Sequence, residues 1–252
     1  MKKRTEEELV VETKYEILYE DEFFLVADKP APLPVHAVGR FKEKNLLSFL
    51  TRDLRVEAGH LRIVNRLDSE TSGLVIVAKG GEVAGRLGLL FEKRRVYKEY
   101  RAVVLGVPEP SKGNISISLG TDSTNSHNIR IPDSLGQSAS TDYEVLEVWK
   151  EYSTLKIIPR TGRTHQIRAH LAFLGHPVLG DKIYIDPRIF ERYIHEGWQE
   201  EMLAVVGAKR LCLHAVKLEF THPKTGASMK FESPVPVCFD LKGLGESLRP
   251  RG

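Results

Sequence analysis

The spacing of apolar and polar positions divides the chain into many short strand-like runs and a few helical ones. Near the start, "YEILYEDEFFLVADKP" gives two strand-like runs, split by Glu20, Asp21 and Glu22 and ended by Pro30. "APLPVHAVGRFKEK" is a proline-broken loop and "LLSFLTRDL" a short helix. In "EVAGRLGLLFEKRR", Val83, Leu87, Leu90 and Phe91 share one helical face, which Gly85 and Gly88 weaken without cancelling. "YRAVVLGV" reads as a strand, whereas residues 108–141, rich in Ser, Gly, Asn, Pro and Thr, read as short edge strands around a long loop. "YEVLEVW" and "STLKIIP" pair as a hairpin.

"THQIRAHLAFLGHP" predicts a helix with Ile167, Leu171 and Leu174 as its stripe, Gly175 as its stop and Pro177 beyond. A second helical segment follows over roughly 188–206. "LCLHAVKLEFTHP" alternates Val216, Leu218 and Phe220 with Lys217 and Glu219, the period of a strand. Strand runs with helices interspersed predict a mixed α/β or α+β domain. No repeat and no linker cuts the chain, so residues 15–240 are expected to form one domain between a charged tail at 1–14 and a C-terminal tail at 241–252.

Composition narrows this only a little. At 252 residues the chain can bury a sizeable core, and a net charge of +3 suits a polyanion ligand without requiring one. Cys212 and Cys238 lie far apart with no C-x-x-C pair, which argues against a disulfide scaffold or a cysteine zinc site. The N-terminus has no apolar signal core, and no window reaches membrane-span length. The expectation is a soluble cytoplasmic protein.

Four groups of residues could carry chemistry. Asp68, in "NRLDSETSGLVIVAK", sits in a hydroxyl-rich segment and alone reads as a turn residue accepting backbone hydrogen bonds. "RTGRTHQIRAH" gathers Arg160, Arg163, Arg168, His165 and Gln166 about a helix start, which is either an anion receptor or a solvated basic face. "FEKRRVYKEYRAVV" interleaves Lys93, Arg94, Arg95, Lys98 and Arg101 with Phe91, Tyr97 and Tyr100, as a nucleic-acid surface or an amphipathic helix end would. His165, His170 and His176 invite a metal. However, helical residues five apart point about 140° from each other, and no carboxylate or cysteine stands at ligand spacing. Nucleotide-binding glycine loops and a serine-hydrolase elbow are both missing from the sequence.

"NRLDSETSGLVIVAK" resembles the signature of the RluA-like pseudouridine synthases, usually H-R-L-D-x-x-T-S-G-L. "DKPAPLPVH" is similar to that family's Lys-Pro loop, "YKEYRAVVLG" to its K-x-Y strand, and "TGRTHQIRAHLAFLGHPVLGDKIY" to its long third motif. "LCLHAVKLEFTHPKTG" with "FESPVP" resembles its C-terminal strands, so the likeness spans about residues 15–239. Asn65 stands where the family has His, and Pro32 where it has Gly.

The resemblance implies an α+β fold, with a mainly antiparallel sheet, flanking helices and a central catalytic cleft. It also implies isomerisation of uridine in ribosomal or transfer RNA. No cofactor or metal is needed for that reaction. By the same resemblance Asp68 is the reacting carboxylate, as nucleophile on the sugar or base at C2′. Arg168 is the cation that keeps it ionised and Tyr100 the active-site tyrosine. Leu67 supplies a dry wall, and Arg66 enters the space of the flipped base. Lys93, Arg94, Arg95, Arg160, Arg163 and His165 are then expected to hold RNA. With about fourteen residues before the first motif and an extra domain needing about fifty, a bare, monomeric catalytic domain is expected. The rival reading is an RNA-binding protein on the same fold without catalysis; a metal-dependent hydrolase is a weaker one.

Overall fold

The computed structural model describes residues 10–39, 41–122 and 129–243, and most of the expected N-terminal tail lies outside them. The chain forms two compact units interleaved along the sequence. Among the described residues, an N-terminal unit takes those up to Lys98 together with Ala215–Pro234, and a central unit takes those of Glu99–His214 with those from Val235 on. At Lys98–Glu99 and at His214–Ala215 the chain passes between them inside a continuous strand, so no polar or glycine-rich linker marks those boundaries.

In the N-terminal unit, β1 (Glu16–Glu20) and β2 (Phe24–Lys29) form the first hairpin, followed by α1 (Leu46–Asp53) and β3 (Leu61–Ile63). Next come β4 (Ser72–Lys79) and α2 (Gly81–Glu92). β4 is antiparallel to both β2 and β3. Leu74, Val75, Ile76, Val77 and Ala78 of β4 are all fully buried, so its unbroken apolar run is that of a strand covered on both faces. Leu87 of α2 closes over Phe24, Val26, Leu74 and Ile76, with Val83, Leu90 and Phe91 beside it as the helical stripe predicted.

β5 (Tyr97–Leu105) leads into the central unit, where β6 (Lys112–Ser116), β7 (Leu119–Thr121) and β8 (Arg130–Pro132) occupy the Ser/Gly-rich region. β9 (Ser140–Trp149) and β10 (Tyr152–Pro159) are the expected hairpin. Within this unit β10 lies antiparallel between β5 and β9, and β6 pairs with β9. α3 (Gln166–Phe173) ends near Gly175, whose φ of 88° suits a residue without a Cβ.

The helical segment expected over 188–206 is instead two helices, α4 (Pro187–Glu196) and α5 (Met202–Val206). Gly197, at φ 81°, ends the first, because its left-handed backbone cannot continue a right-handed helix. β11 (Leu213–Thr221) returns the chain to the N-terminal unit, where it neighbours β4 and pairs with β12 (Ser228–Glu232). The sheets are antiparallel wherever register is defined, which selects α+β from the two classes that periodicity left open.

Both ends of the expected domain carry contacts beyond its limits. Leu241 is 1 % exposed in the core of the central unit, and the Glu12 amide donates to the Pro32 carbonyl at 2.9 Å.

Candidate active site

Asp68 lies in the loop from β3 to β4, half-buried, between exposed Arg66 and buried Leu67 on one side and Ser69 on the other. The turn is closed by the Thr71 amide donating to the Asp68 carbonyl at 3.1 Å. Ahead of it, Asn65 is nearly buried and mimics a strand with its side chain. Its Oδ1 accepts from the Ile76 amide at 2.7 Å, and its Nδ2 donates to the Leu74 carbonyl at 3.1 Å. A side-chain amide offers the donor and acceptor of a peptide group, so Asn65 extends the β3–β4 ladder by one rung. This accounts for the residue that departs from the family signature.

Behind the loop stands Lys29, fully buried at the end of β2. Its ammonium donates to the carbonyls of Pro30 (2.9 Å), Leu33 (2.7 Å) and Ser69 (3.2 Å). The Leu33 amide also donates to the Ser69 carbonyl at 2.8 Å. One buried cation thus ties the Lys-Pro segment to the peptide next to Asp68, and three carbonyl acceptors offset its loss of hydration. Gly73 completes the frame: at φ 110°, its missing side chain leaves room for the Ala215 backbone of β11. The glycine of the Thr-Ser-Gly motif is therefore a close-packing requirement between strands.

In the central unit Tyr100 lies on β5 opposite Ile157, half-buried and packed on the core. Its neighbours Glu99 and Arg101 point to the other face, where Arg101 pairs with Glu99 at 2.7 Å and Lys156 approaches the same carboxylate at 3.8 Å. Arg168, in the first turn of α3, is 6 % exposed. Its Nε and Nη2 donate to the two carboxylate oxygens of Asp181 at 2.7 and 2.8 Å, and its guanidinium lies 5.2 Å over the Tyr184 ring. Burial works to raise the Asp181 carboxyl, but the charge and hydrogen bonds of Arg168 outweigh it and hold the group below the usual carboxylate range. Asp181 and Lys29 were not singled out from sequence, although both lie inside the quoted motifs.

Gln166 anchors the start of α3. Its Oε1 accepts from the Thr161 hydroxyl at 2.6 Å and the Arg163 amide at 3.0 Å, while its Nε2 donates to the Ser140 carbonyl and the Thr141 hydroxyl. The Thr141 hydroxyl lies 2.9 Å from His170 Nδ1, and His170 Nε2 lies 3.0 Å from the Ile117 carbonyl. With Gln166 supplying a hydrogen to Thr141, the hydroxyl donates to Nδ1 and the imidazole proton sits on Nε2. Burial favours this neutral form and lowers the His170 pKa. His176 Nδ1 is 2.9 Å from the Leu105 carbonyl. Among the described residues no group of three or more His, Cys, Asp or Glu could hold a metal.

The basic clusters divide. Lys93, Arg94 and Arg95 are exposed at the end of α2. Lys98 is half-buried and burial lowers its ammonium to about 8, while half-buried Arg101 pairs with Glu99 at 2.7 Å. Strand alternation, once β5 begins at Tyr97, puts Lys98 and Arg101 on opposite faces. Arg160 pairs with Asp142 at 2.6 Å, and exposed Arg163 donates from Nε to the Ser138 carbonyl at 3.2 Å. His165 holds a left-handed backbone at φ 53°, and its Nδ1 lies 3.4 Å from the Tyr184 hydroxyl. A non-glycine residue in that region is strained by about 1–3 kcal/mol and marks a constrained site.

The chain matches known proteins over most of its length. A family profile described as RNA pseudouridylate synthase matches residues 23–173. Ribosomal large subunit pseudouridine synthase D of Vibrio cholerae is 37% identical over 223 residues, covering 87% of this chain and 67% of that protein. Dual-specificity RNA pseudouridine synthase RluA of Escherichia coli is 36% identical over 219 residues, covering 86% of this chain and 92% of the relative. Human RNA Pseudouridylate Synthase Domain Containing 1 superposes with a TM-score of 0.69 at 27% identity, covering 99% and 98% of the two chains. By sequence and by fold the chain belongs to the RNA pseudouridylate synthase family and is an RNA pseudouridine synthase, an isomerase.

Proposed function

We propose that this enzyme converts uridine to pseudouridine in large-subunit ribosomal RNA, with Asp68 as the reacting carboxylate. The observation that carries the assignment is the bracing of the Asp68 loop. Lys29, Leu33, Asn65 and the Thr71 turn all engage the main chain around it, and a loop held this way presents one acid in a defined place. The relatives named for ribosomal large-subunit RNA support the substrate class.

In the reaction the N1–C1′ bond breaks, the uracil turns, C5 bonds to C1′, and the C5 proton leaves while N1 regains one. No electrons are exchanged with an outside partner. Asp68 acts either on C1′ as a nucleophile or at the C2′ hydrogen as a base. Tyr100 offers an aromatic face to the displaced uracil and a hydroxyl for the C5 proton, and Arg168 supplies the positive charge that keeps a carboxylate ionised away from water. The ordered motif match supports these roles, together with the chemistry of each side chain within its own unit.

A base must leave the stack before such chemistry, at a cost of a few kcal/mol, and exposed Arg66 beside the acid is the side chain proposed to take its place. Lys93, Arg94 and Arg95 offer exposed charge for flanking phosphates, with Arg160, Arg163 and His165 as further contacts.

The test is tritium release from a large-subunit ribosomal RNA transcript carrying 5-tritiated uridine. Wild type is expected to release tritium and Asp68→Ala to release none. Equal release from both would remove Asp68 from the chemistry, and no release from either would take large-subunit ribosomal RNA out of the proposal.

A further inference from the structure

Asp181 is placed as few surface-derived acids are. Its side chain has no solvent exposure. Oδ2 accepts from Arg168 Nε, while Oδ1 accepts from Arg168 Nη2 and from the amides of Ile183 and Tyr184 at 3.0 Å each. The turn that carries it is fixed on three sides within the central unit. The Leu179 amide donates to Val103 of β5, the Cys212 amide to Leu179, and the Gly180 amide to Val206 of α5. Gly180, at φ 77°, packs so closely on the Arg210 carbonyl that any side chain would collide with it. The carboxylate therefore cannot follow the arginine; the arginine must conform to it.

A guanidinium has two usable forks. Asp181 occupies the Nε/Nη2 side, and the Tyr184 ring lies against one face. Together they set the plane of the group and the direction of its Nη1/Nη2 edge. As a staple alone the pair is a poor choice, because burying two charges gains little over a hydrophobic pair of equal volume. Orientation is what an apolar pair could not supply.

We propose that Asp181 is a positioning residue of this enzyme, acting through Arg168 by fixing the edge that the guanidinium presents to the reacting groups. The proposal rests on the role assigned above to Arg168. It extends the functional unit from "QIR" on α3 to the "GDKIY" turn, thirteen residues on.

The test uses the full chain and the tritiated ribosomal transcript, comparing wild type, Asp181→Asn, Arg168→Lys and the double variant. Asparagine keeps Oδ1 for the two backbone amides and turns a donor toward the arginine fork. Single-turnover release in Asp181→Asn is expected to fall about 100-fold, the usual effect of a misplaced group. RNA affinity should stay within about threefold of wild type, as for an interaction felt in the reaction step. The double variant should be no slower than Arg168→Lys, because a residue acting only through another adds nothing once that other is gone.

Wild-type rates in Asp181→Asn, or losses that multiply in the double variant, would overturn the positioning role while leaving Arg168 in place. Wild-type rates in Arg168→Lys would instead overturn the Arg168 assignment, and this proposal with it. A further measurement needs no folded variant. In wild type labelled with 15N-arginine, the Arg168 Nε–H should exchange with solvent far more slowly than those of exposed arginines, and exchange at their rate would also overturn the proposal.

Discussion

The Asp68 loop and the Asp181 turn hold two acids by opposite means. Around Asp68 the contacts run through the main chain: a side-chain amide completes a ladder, a buried ammonium gathers three carbonyls, and a glycine lets two strands touch. The acid itself stays half-buried. Around Asp181 the carboxylate is itself the anchor, fully buried and saturated with donors. A group that reacts needs its backbone fixed and its side chain accessible, whereas a group that aims another side chain is best fixed through its own charge.

The strongest way to break the first arrangement is Gly73→Ala. The new methyl meets the Ala215 backbone and the φ of 110° is strained for alanine, so a loss of about 3 kcal/mol or more is expected in urea unfolding. A midpoint like that of wild type would mean that β4 and β11 do not need that close approach.

Asn65→Leu should cost less, about 2 kcal/mol, by leaving the Ile76 amide and the Leu74 carbonyl unpaired under a similar volume. Asn65→His, which restores the family's usual residue, sharpens the point. Stability near wild type would show that an imidazole can bridge the same two groups.

The smallest effect is the pH dependence that Asp181 adds. The folded chain holds Asp181 below the usual carboxylate range, so the unfolded chain takes up its proton first as pH falls. That contribution to stability is complete above the ordinary carboxylate pKa and is lost as pH drops through the depressed value. Asp181→Asn should therefore show a flatter decline in urea midpoint between about pH 5 and pH 2 than wild type. Parallel declines would mean that the Arg168 pair does not stabilise the charged form.

Much of this was legible in the residues. α2 announced itself by its stripe, and α3 by its stripe and glycine stop, because burial on a fixed period leaves its mark locally. The split of the 188–206 segment at Gly197 was legible too, had the glycine been weighed as a stop. A run of basic residues looks uniform in sequence, while a strand sends alternate side chains, here Lys98 and Arg101, to opposite faces.

By itself the sequence determined most of the elements and the ordered motifs, since these depend on residue type and near neighbours, and the resemblance that the motifs carry named Asp68, Arg168 and Tyr100 for the proposed site. Tertiary structure alone decided what Asn65 does, which carbonyls Lys29 gathers, why Gly73 must lack a side chain and that Asp181 pairs with Arg168. Those are contacts between positions far apart in the chain or on different elements. Their energies come from desolvation and hydrogen-bond direction, and neither exists until the backbone has brought the groups together.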